Sequence, residues 1–296
     1  MKSDVAREIT YAGTARTRRG RLLIRGMETL SGRFGLLRRA KGYDDAVASG
    51  AIFWEEMARR YGLVPNIVRG TLDAIPADGP VVVVANHPYG ICDGLVLSLI
   101  LSRARRGHPA EALGFKVVAN DVFLRASDLA DVILPVSFAD TRAAQETNLA
   151  MRRDALAYLH LGGLVGIFPG GAVSTPAKPF GRPKDPYWRG FSAKLIRQSG
   201  ATVVPIHFEG ANSRLFHLAS HLHETLRAGL LVREFKSRTD SPIRLSIGDA
   251  ISPDQIAAHP GNQAELMAFL RKRTYAAGLD GDDLGFDWDT QKAGCT

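Results

Sequence analysis

The run Val81-Val82-Val83-Val84-Ala85 constrains this chain more than any other feature. A strand of such residues is apolar on both faces, so both faces have to be covered. Segments with helical spacing are available nearby, at 93–106 and 141–161. Further short apolar runs follow at 115–119, 133–136, 164–168, 202–207 and 243–247, with helical patterns at 190–199 and 262–277. This alternation predicts an α/β fold, a mostly parallel central sheet flanked by helices. In sheets of this kind, sites collect at the carboxyl ends of the strands. With 296 residues, 45% of them apolar, the chain can fill the core such a sheet needs.

Charge is unevenly placed. Residues 1–41 hold eleven Lys or Arg against three acids, an excess equal to the net charge of +8 for the whole chain. Within that block Leu23, Met27, Leu30, Phe34 and Leu37 recur at alternating steps of four and three, which predicts a helical stripe among arginines. Gly26, Gly32 and Gly35 work against that helix. Two readings stay open: a helix packed on the domain with a solvated basic face, or an interfacial helix lying on an anionic membrane surface. No nucleic-acid motif follows, so no nucleic-acid partner is expected. A second helix is expected over 44–61. The organisation expected is a basic N-terminal helical segment at 1–66, the main domain at 67–277 and an acidic tail at 278–296.

The first apolar run, at 22–24, is too short for a signal peptide. No stretch reaches the roughly 18 apolar residues of a membrane-spanning helix. The expected location is therefore peripheral, on the cytoplasmic side of the inner membrane. Two cysteines far apart, Cys92 and Cys295, form neither a disulfide framework nor a zinc pattern and fit a reducing compartment.

Chemistry concentrates just after the valine run, in Asn86-His87-Pro88-Tyr89-Gly90-Ile91-Cys92-Asp93-Gly94. A histidine leaves a strand end, a Pro/Gly turn follows, and an aspartate opens the next helix. Asp93 can accept from one imidazole nitrogen, leave the other free to take a proton, and stabilise the imidazolium that forms. With no serine in the cluster, the natural proton donor is a substrate hydroxyl. The same residues also read as a helix cap and a turn, and Cys92 as a thiol beside a histidine. His207, His217, His221 and His223 lack zinc-site spacing, and no metal is expected.

The run from Asn86 to Asp93 resembles the NHxxxxD box of the glycerol-3-phosphate and lysophospholipid acyltransferase superfamily, the PlsC-like family. Val122-Phe123-Leu124-Arg125, with Pro135 beyond, resembles its second block. Gly166-Ile167-Phe168-Pro169-Gly170-Gly171-Ala172-Val173-Ser174 resembles the third, FPEGTRS, and Val203-Val204-Pro205-Ile206 the fourth. The four blocks fall in the family's order. Text such as Asn212-Ser213-Arg214-Leu215-Phe216 is similar to a bacterial branch of hemolysin-like and lyso-ornithine-lipid acyltransferase sequences. Two departures stand out. Five residues separate His87 from Asp93 where the family has four, and a turn at Gly90 can absorb the extra one. Gly170 replaces the third block's glutamate, and that block's arginine is missing.

The resemblance implies an O-acyltransferase moving a fatty acyl group from acyl-ACP or acyl-CoA to the hydroxyl of a lysolipid, lysophosphatidic acid or lyso-ornithine lipid. His87 and Asp93 would be catalytic. Asn86, Phe123, Arg125, Phe168, Pro169, Gly170, Gly171, Ser174 and Pro205 would line the substrate site, with Arg125 on an acceptor anion and N–H groups near Gly170 and Gly171 on the oxyanion. Lys178, Arg182 and Lys184 could restore positive charge near the third block. No cofactor is implied beyond the acyl carrier. A hydrolase using the same pair on water, and an inactive membrane-binding scaffold, are the other classes left open.

Overall fold

The computed structural model describes residues 10–15, 17–120, 129–137 and 141–279. Among them a seven-stranded sheet runs through the molecule. In chain order its strands are β1 (Leu63–Arg69), β2 (Val81–Ala85), β3 (Lys116–Asn120), β4 (Ile133–Val136), β5 (Leu164–Ile167), β6 (Thr202–Phe208) and β7 (Ser241–Ile247). Their spatial order is β1-β7-β6-β2-β5-β3-β4, and only the β6–β7 pair is antiparallel. β2 is central, with Val83 opposite Gly166 of β5 on one side and Val204 of β6 on the other.

All five residues of β2 are fully buried. Because side chains alternate along a strand, Val81, Val83 and Ala85 enter one core and Val82 and Val84 the other. The first core is closed by Trp54 and Met57 of α4 (Phe53–Tyr61), Val96, Leu97 and Ile100 of α5 (Ile91–Ala104), and Val232 and Phe235 of a helix at Glu224–Arg238. The second is closed by Met151 and Ala155 of α6 (Arg142–His160), Leu195 and Ile196 of α7 (Phe191–Ser199), and Leu266 and Leu270 of the last helix, Gln263–Ala276. The α/β class expected from the valine run is the one observed.

The structure corrects several element boundaries. The stripe expected as one N-terminal helix is two, α1 (Arg18–Leu30) and α2 (Arg33–Ala40), broken at Gly32 with φ 95°. The buried residues of the pair are Ile24, Glu28, Leu36 and Ala40, while Leu23, Leu30 and Phe34 of the expected stripe are exposed. The helix expected over 44–61 is also two, α3 (Tyr43–Ala48) and α4, separated by Gly50 with φ 96°. Only a residue without Cβ adopts these turns cheaply. β1 begins at Leu63, before the expected boundary at 66/67, and pairs with β7 at the sheet edge. Three helices have no counterpart in the sequence reading: α8 (Arg214–Leu222), α9 (Glu224–Arg238) and α10 (Pro253–Ala258). The last helix is therefore α11. It starts in a capping box, Asn262 accepting from the Ala264 and Glu265 N–H groups while Glu265 accepts from the Asn262 N–H at 2.7 Å. Among the described residues no helix is long and apolar enough to cross a membrane.

Candidate active site

β2, β5 and β6 run parallel, so their carboxyl ends deliver His87, Phe168 and Phe208 to one edge of the sheet. Asn86 locks that edge. Its amide donates to the Phe208 carbonyl at 2.9 Å, and its oxygen accepts from the Phe208 N–H at 2.6 Å. With both ends spent there and the residue buried, Asn86 is a clamp between strands.

The turn after His87 depends on Gly90, with φ 90° and ψ −104°. A Cβ there would sit 3.1 Å from Leu231 and 3.2 Å from Val173. Through this turn His87 Nδ1 comes 3.0 Å from Asp93 Oδ1, five intervening residues notwithstanding. The approach is off the line of a ring N–H, and it becomes an ion pair when the imidazole is protonated. Asp93 is fully buried in the first turn of α5, where its carboxylate also accepts from the Tyr89 N–H at 2.8 Å and the Gly94 N–H at 3.0 Å. The capping reading and the histidine-partner reading thus describe one side chain. The His87 ring packs on Phe168 with centroids 4.2 Å apart. Burial by itself pulls the imidazole pKa down, but the charges of Asp93 and then Asp185 more than reverse this, leaving it above its ordinary value. Neutral His87 is therefore a stronger base than a free histidine. Cys92 is buried, and burial followed by the Asp93 charge drives its pKa far up, so it stays a thiol and not a nucleophile.

His87 lies on the wall of an apolar cavity of about 440 Å³. The cavity runs between Ile91, Gly94, Leu95 and Ser98 of α5 and Val117, Ala119, Ile133 and Val136 of β3 and β4, reaching Trp54. Gly94 lines it, and a Cβ added at Gly94 would meet no atom within 4 Å. Of the residues expected to line a substrate site, Phe168, Pro169 and Gly171 do line this cavity. Gly170 faces away toward Asp185, Ser174 is buried against Asp185, and Pro205 is inside β6 opposite Val84. Phe123 and Arg125 lie outside the described residues. The Gly171 N–H, expected to be free for an oxyanion, donates to the Phe168 carbonyl at 3.0 Å and is spent in the turn. Lys178 and Arg182 are exposed, and Lys184 is buried over the Tyr275 ring at 5.2 Å, its pKa pushed down to about 8 chiefly by burial.

Four residues at the site were missed in the sequence. Tyr11 lines the cavity from the strap before α1, pinned there by Glu28, which accepts from the Tyr11 N–H at 2.6 Å and the Thr10 hydroxyl at 2.7 Å. Arg189 lines the cavity from the segment before α7. Arg227 of α9 donates to the Val173 carbonyl at 2.7 Å, and its charge acts on His87. Asp185 holds the main chain of His87. The histidines at 207, 217, 221 and 223 do not assemble: His207 pairs with Glu209 at 3.3 Å and His223 accepts from the Thr225 N–H. Among the described residues no group of three or more His, Cys, Asp or Glu could hold a metal ion.

A buried strand ending in a His–Asp pair beside an apolar cavity is the setting in which the relationships of this chain can be read. Residues 67–209 match the family model Acyltransferase. A lyso-glycine lipid O-acyltransferase of Phocaeicola vulgatus is 26% identical over 160 residues, 52% of this chain and 51% of the relative. One from Bacteroides thetaiotaomicron is 27% identical over 156 residues, 52% of each. These matches support a relationship of residues 67–209, just under half of the chain, to the PlsC-like acyltransferase superfamily. The matched segment spans about half the length of these curated relatives. The crystal structure of the 1-acyl-sn-glycerophosphate (LPA) acyltransferase PlsC from Thermotoga maritima aligns over 88% of this chain and 83% of that one, with 16% identity and a TM-score of 0.43.

Proposed function

We propose that this protein transfers a fatty acyl group from an acyl thioester, acyl-ACP or acyl-CoA, to the hydroxyl of a lysolipid. The observation that carries the proposal is the His87–Asp93 pair on the wall of an apolar cavity of about 440 Å³. His87 Nε2, the nitrogen not turned to Asp93, takes the acceptor's hydroxyl proton as that oxygen attacks the thioester carbonyl. The tetrahedral intermediate collapses, the C–S bond breaks, and the imidazolium returns the proton to the departing sulfur. Asp93 holds the tautomer and the positive charge between these events. The step balances with thioester and hydroxyl alone, so it calls on no metal or redox cofactor. The cavity takes the acyl chain, and exposed Arg189 at its wall suits an anionic headgroup.

Acyl transfer to a panel of lyso-glycine lipid, lyso-ornithine lipid and lysophosphatidic acid, from both donors, tests the reading. The relatives' names put lyso-glycine lipid first on that panel. Acylated product from one acceptor is the expected result. Free fatty acid alone would mean a hydrolase, and lipid binding without turnover would mean a scaffold.

The cavity makes a separate prediction. In Gly94→Leu the new side chain enters open space from a helical position that favours leucine over glycine, so the fold is kept. Transfer of long acyl chains should fall by about tenfold or more relative to short ones, the scale of a few lost methylene contacts. Equal loss at all chain lengths would place the acyl chain elsewhere.

The membrane is the proposed location of the acceptor. Leu22, Leu23 and Leu30 share one face of α1 opposite Ile24, and they are 69%, 48% and 91% exposed, with Phe34 of α2 at 60%. Arginines 18, 19, 21, 25 and 33 accompany them. Apolar side chains this open among cations suit the headgroup boundary of an anionic bilayer. The triple variant Leu22→Ser, Leu30→Ser, Phe34→Ser removes no core contact and should weaken binding to phosphatidylglycerol vesicles by about tenfold or more. Unchanged sedimentation with vesicles would sink the interfacial reading.

A further inference from the structure

Asp185 is fully buried in the loop between β5 and α7, and nothing in its sequence setting marks it. Its carboxylate gathers donors from the turn after β2 and from two points of its own loop. One oxygen accepts from the His87 N–H at 3.0 Å and from the Ser174 hydroxyl at 2.5 Å, and the other from the Trp188 indole N–H at 2.9 Å. Ser174 closes the loop by donating its own N–H to the His87 carbonyl at 2.8 Å. Both polar groups of the His87 backbone are therefore held by this Asp–Ser unit. The unit is anchored in turn from α11, where Tyr275 Oη accepts from the Asp185 N–H at 2.8 Å and the Arg271 guanidinium donates to the Asp185 carbonyl. Gly170 supplies the room. A Cβ at that position would already touch Asp185 Cβ and Oδ2 at 3.4 Å, so an acidic side chain grown from it starts beside an existing carboxylate.

We propose that Asp185 is the positioning residue of His87: its carboxylate fixes the His87 main chain and supplies the site's second buried negative charge, in space that Gly170 leaves open. This assignment rests on the general-base role given to His87 above. The charges around the imidazole are Asp93 from α5, Asp185 from the β5–α7 loop and Arg227 from α9, with Tyr11 and Arg189 also on the cavity wall. The two carboxylates act against Arg227, and both raise the basicity of His87.

Histidine-selective ¹⁵N NMR on the full chain tests this without turnover, the His87 signal being assigned from His87→Ala. Asp185→Asn removes the charge and sets an amide against three donors. The His87 titration midpoint should fall by about one pH unit. In the transfer assay kcat should drop with KM nearly unchanged, and the acid limb of the pH profile should move the same way. A folded Asp185→Asn protein whose His87 midpoint does not move overturns the proposal, whatever the transfer assay gives. A shifted midpoint in a protein that acylates no acceptor sinks the transferase reading and leaves the positioning role standing. If Asp185→Asn does not fold, Ser174→Ala decides. It keeps the charge and strips a donor that partly neutralises it, so the midpoint should rise, and a fall would overturn the assignment.

Discussion

Replacing His87 by alanine is expected to lower kcat/KM for acyl transfer by about 10²–10⁴-fold, the usual contribution of a positioned general base. The acceptor hydroxyl is a very weak acid, and no other described side chain on the cavity wall pairs a buried carboxylate with a free nitrogen. Removing the imidazole costs the fold little. Its side chain is 19% exposed, it packs on the Phe168 ring beside Asp93, and the Asp185 and Ser174 bonds go to the main chain, which alanine retains. Circular dichroism and melting temperature should stay close to wild type. A folded His87→Ala protein that kept more than a tenth of wild-type transfer would remove His87 from the base role.

Asp93→Asn should cost nearly as much, about 10²–10⁴-fold in kcat, by way of the tautomer. The carboxylate lies against three nitrogens at once, accepting from the N–H groups of Tyr89 and Gly94 and standing 3.0 Å from His87 Nδ1. An asparagine has one acceptor oxygen and must turn its NH₂ toward one of these partners. Turned toward Tyr89, on the oxygen away from His87, it sets donor against donor and leaves a buried N–H unpaired. Turned toward His87 it donates to Nδ1 and forces the ring proton onto Nε2, the nitrogen that has to be free. The pH profile adds a signature. Activity needs neutral His87, so it falls as pH drops through a pKa that stands above the ordinary value. Burial pulls that pKa down and Asp93 pulls it up. Without the Asp93 charge, the acid limb should move to lower pH while the plateau falls. A lower plateau with an unmoved limb would mean that Asp93 serves only to cap α5.

The parts of the site that could be read in the sequence are those that are local in it. His87 and Asp93 are six positions apart, between a strand and a helix that each announce themselves by periodicity, and Gly90 marks the turn that joins them. Phe168 and Pro169 follow the next buried run in the same way. Asp185, Arg189 and Arg227 offered no such signal. Each is a charged residue in a loop or on a helix, and its neighbours in the chain say nothing of its partners. The one clue was Gly170: a glycine where related sequences carry an acid invites a search for a carboxylate from elsewhere.

Composition and period thus determined the α/β class and the central burial of β2, because a run of β-branched residues can be satisfied only between two helical layers, whereas the His–Asp box was legible through its resemblance to the family's motif. They left open what the N-terminal stripe faces, since spacing alone does not say which side of a helix meets the core. Packing against α9 gives that place to Ile24 and Glu28 and turns Leu22, Leu23 and Leu30 outward. Tertiary structure alone decided what surrounds His87. The Asp185 carboxylate, 98 positions further along, and the Arg227 cation, 140 positions further along, act at His87 because the fold brings the β5–α7 loop and α9 to the carboxyl end of β2. Local propensity acts over a turn or two of chain, whereas buried charges must find partners wherever the fold places them.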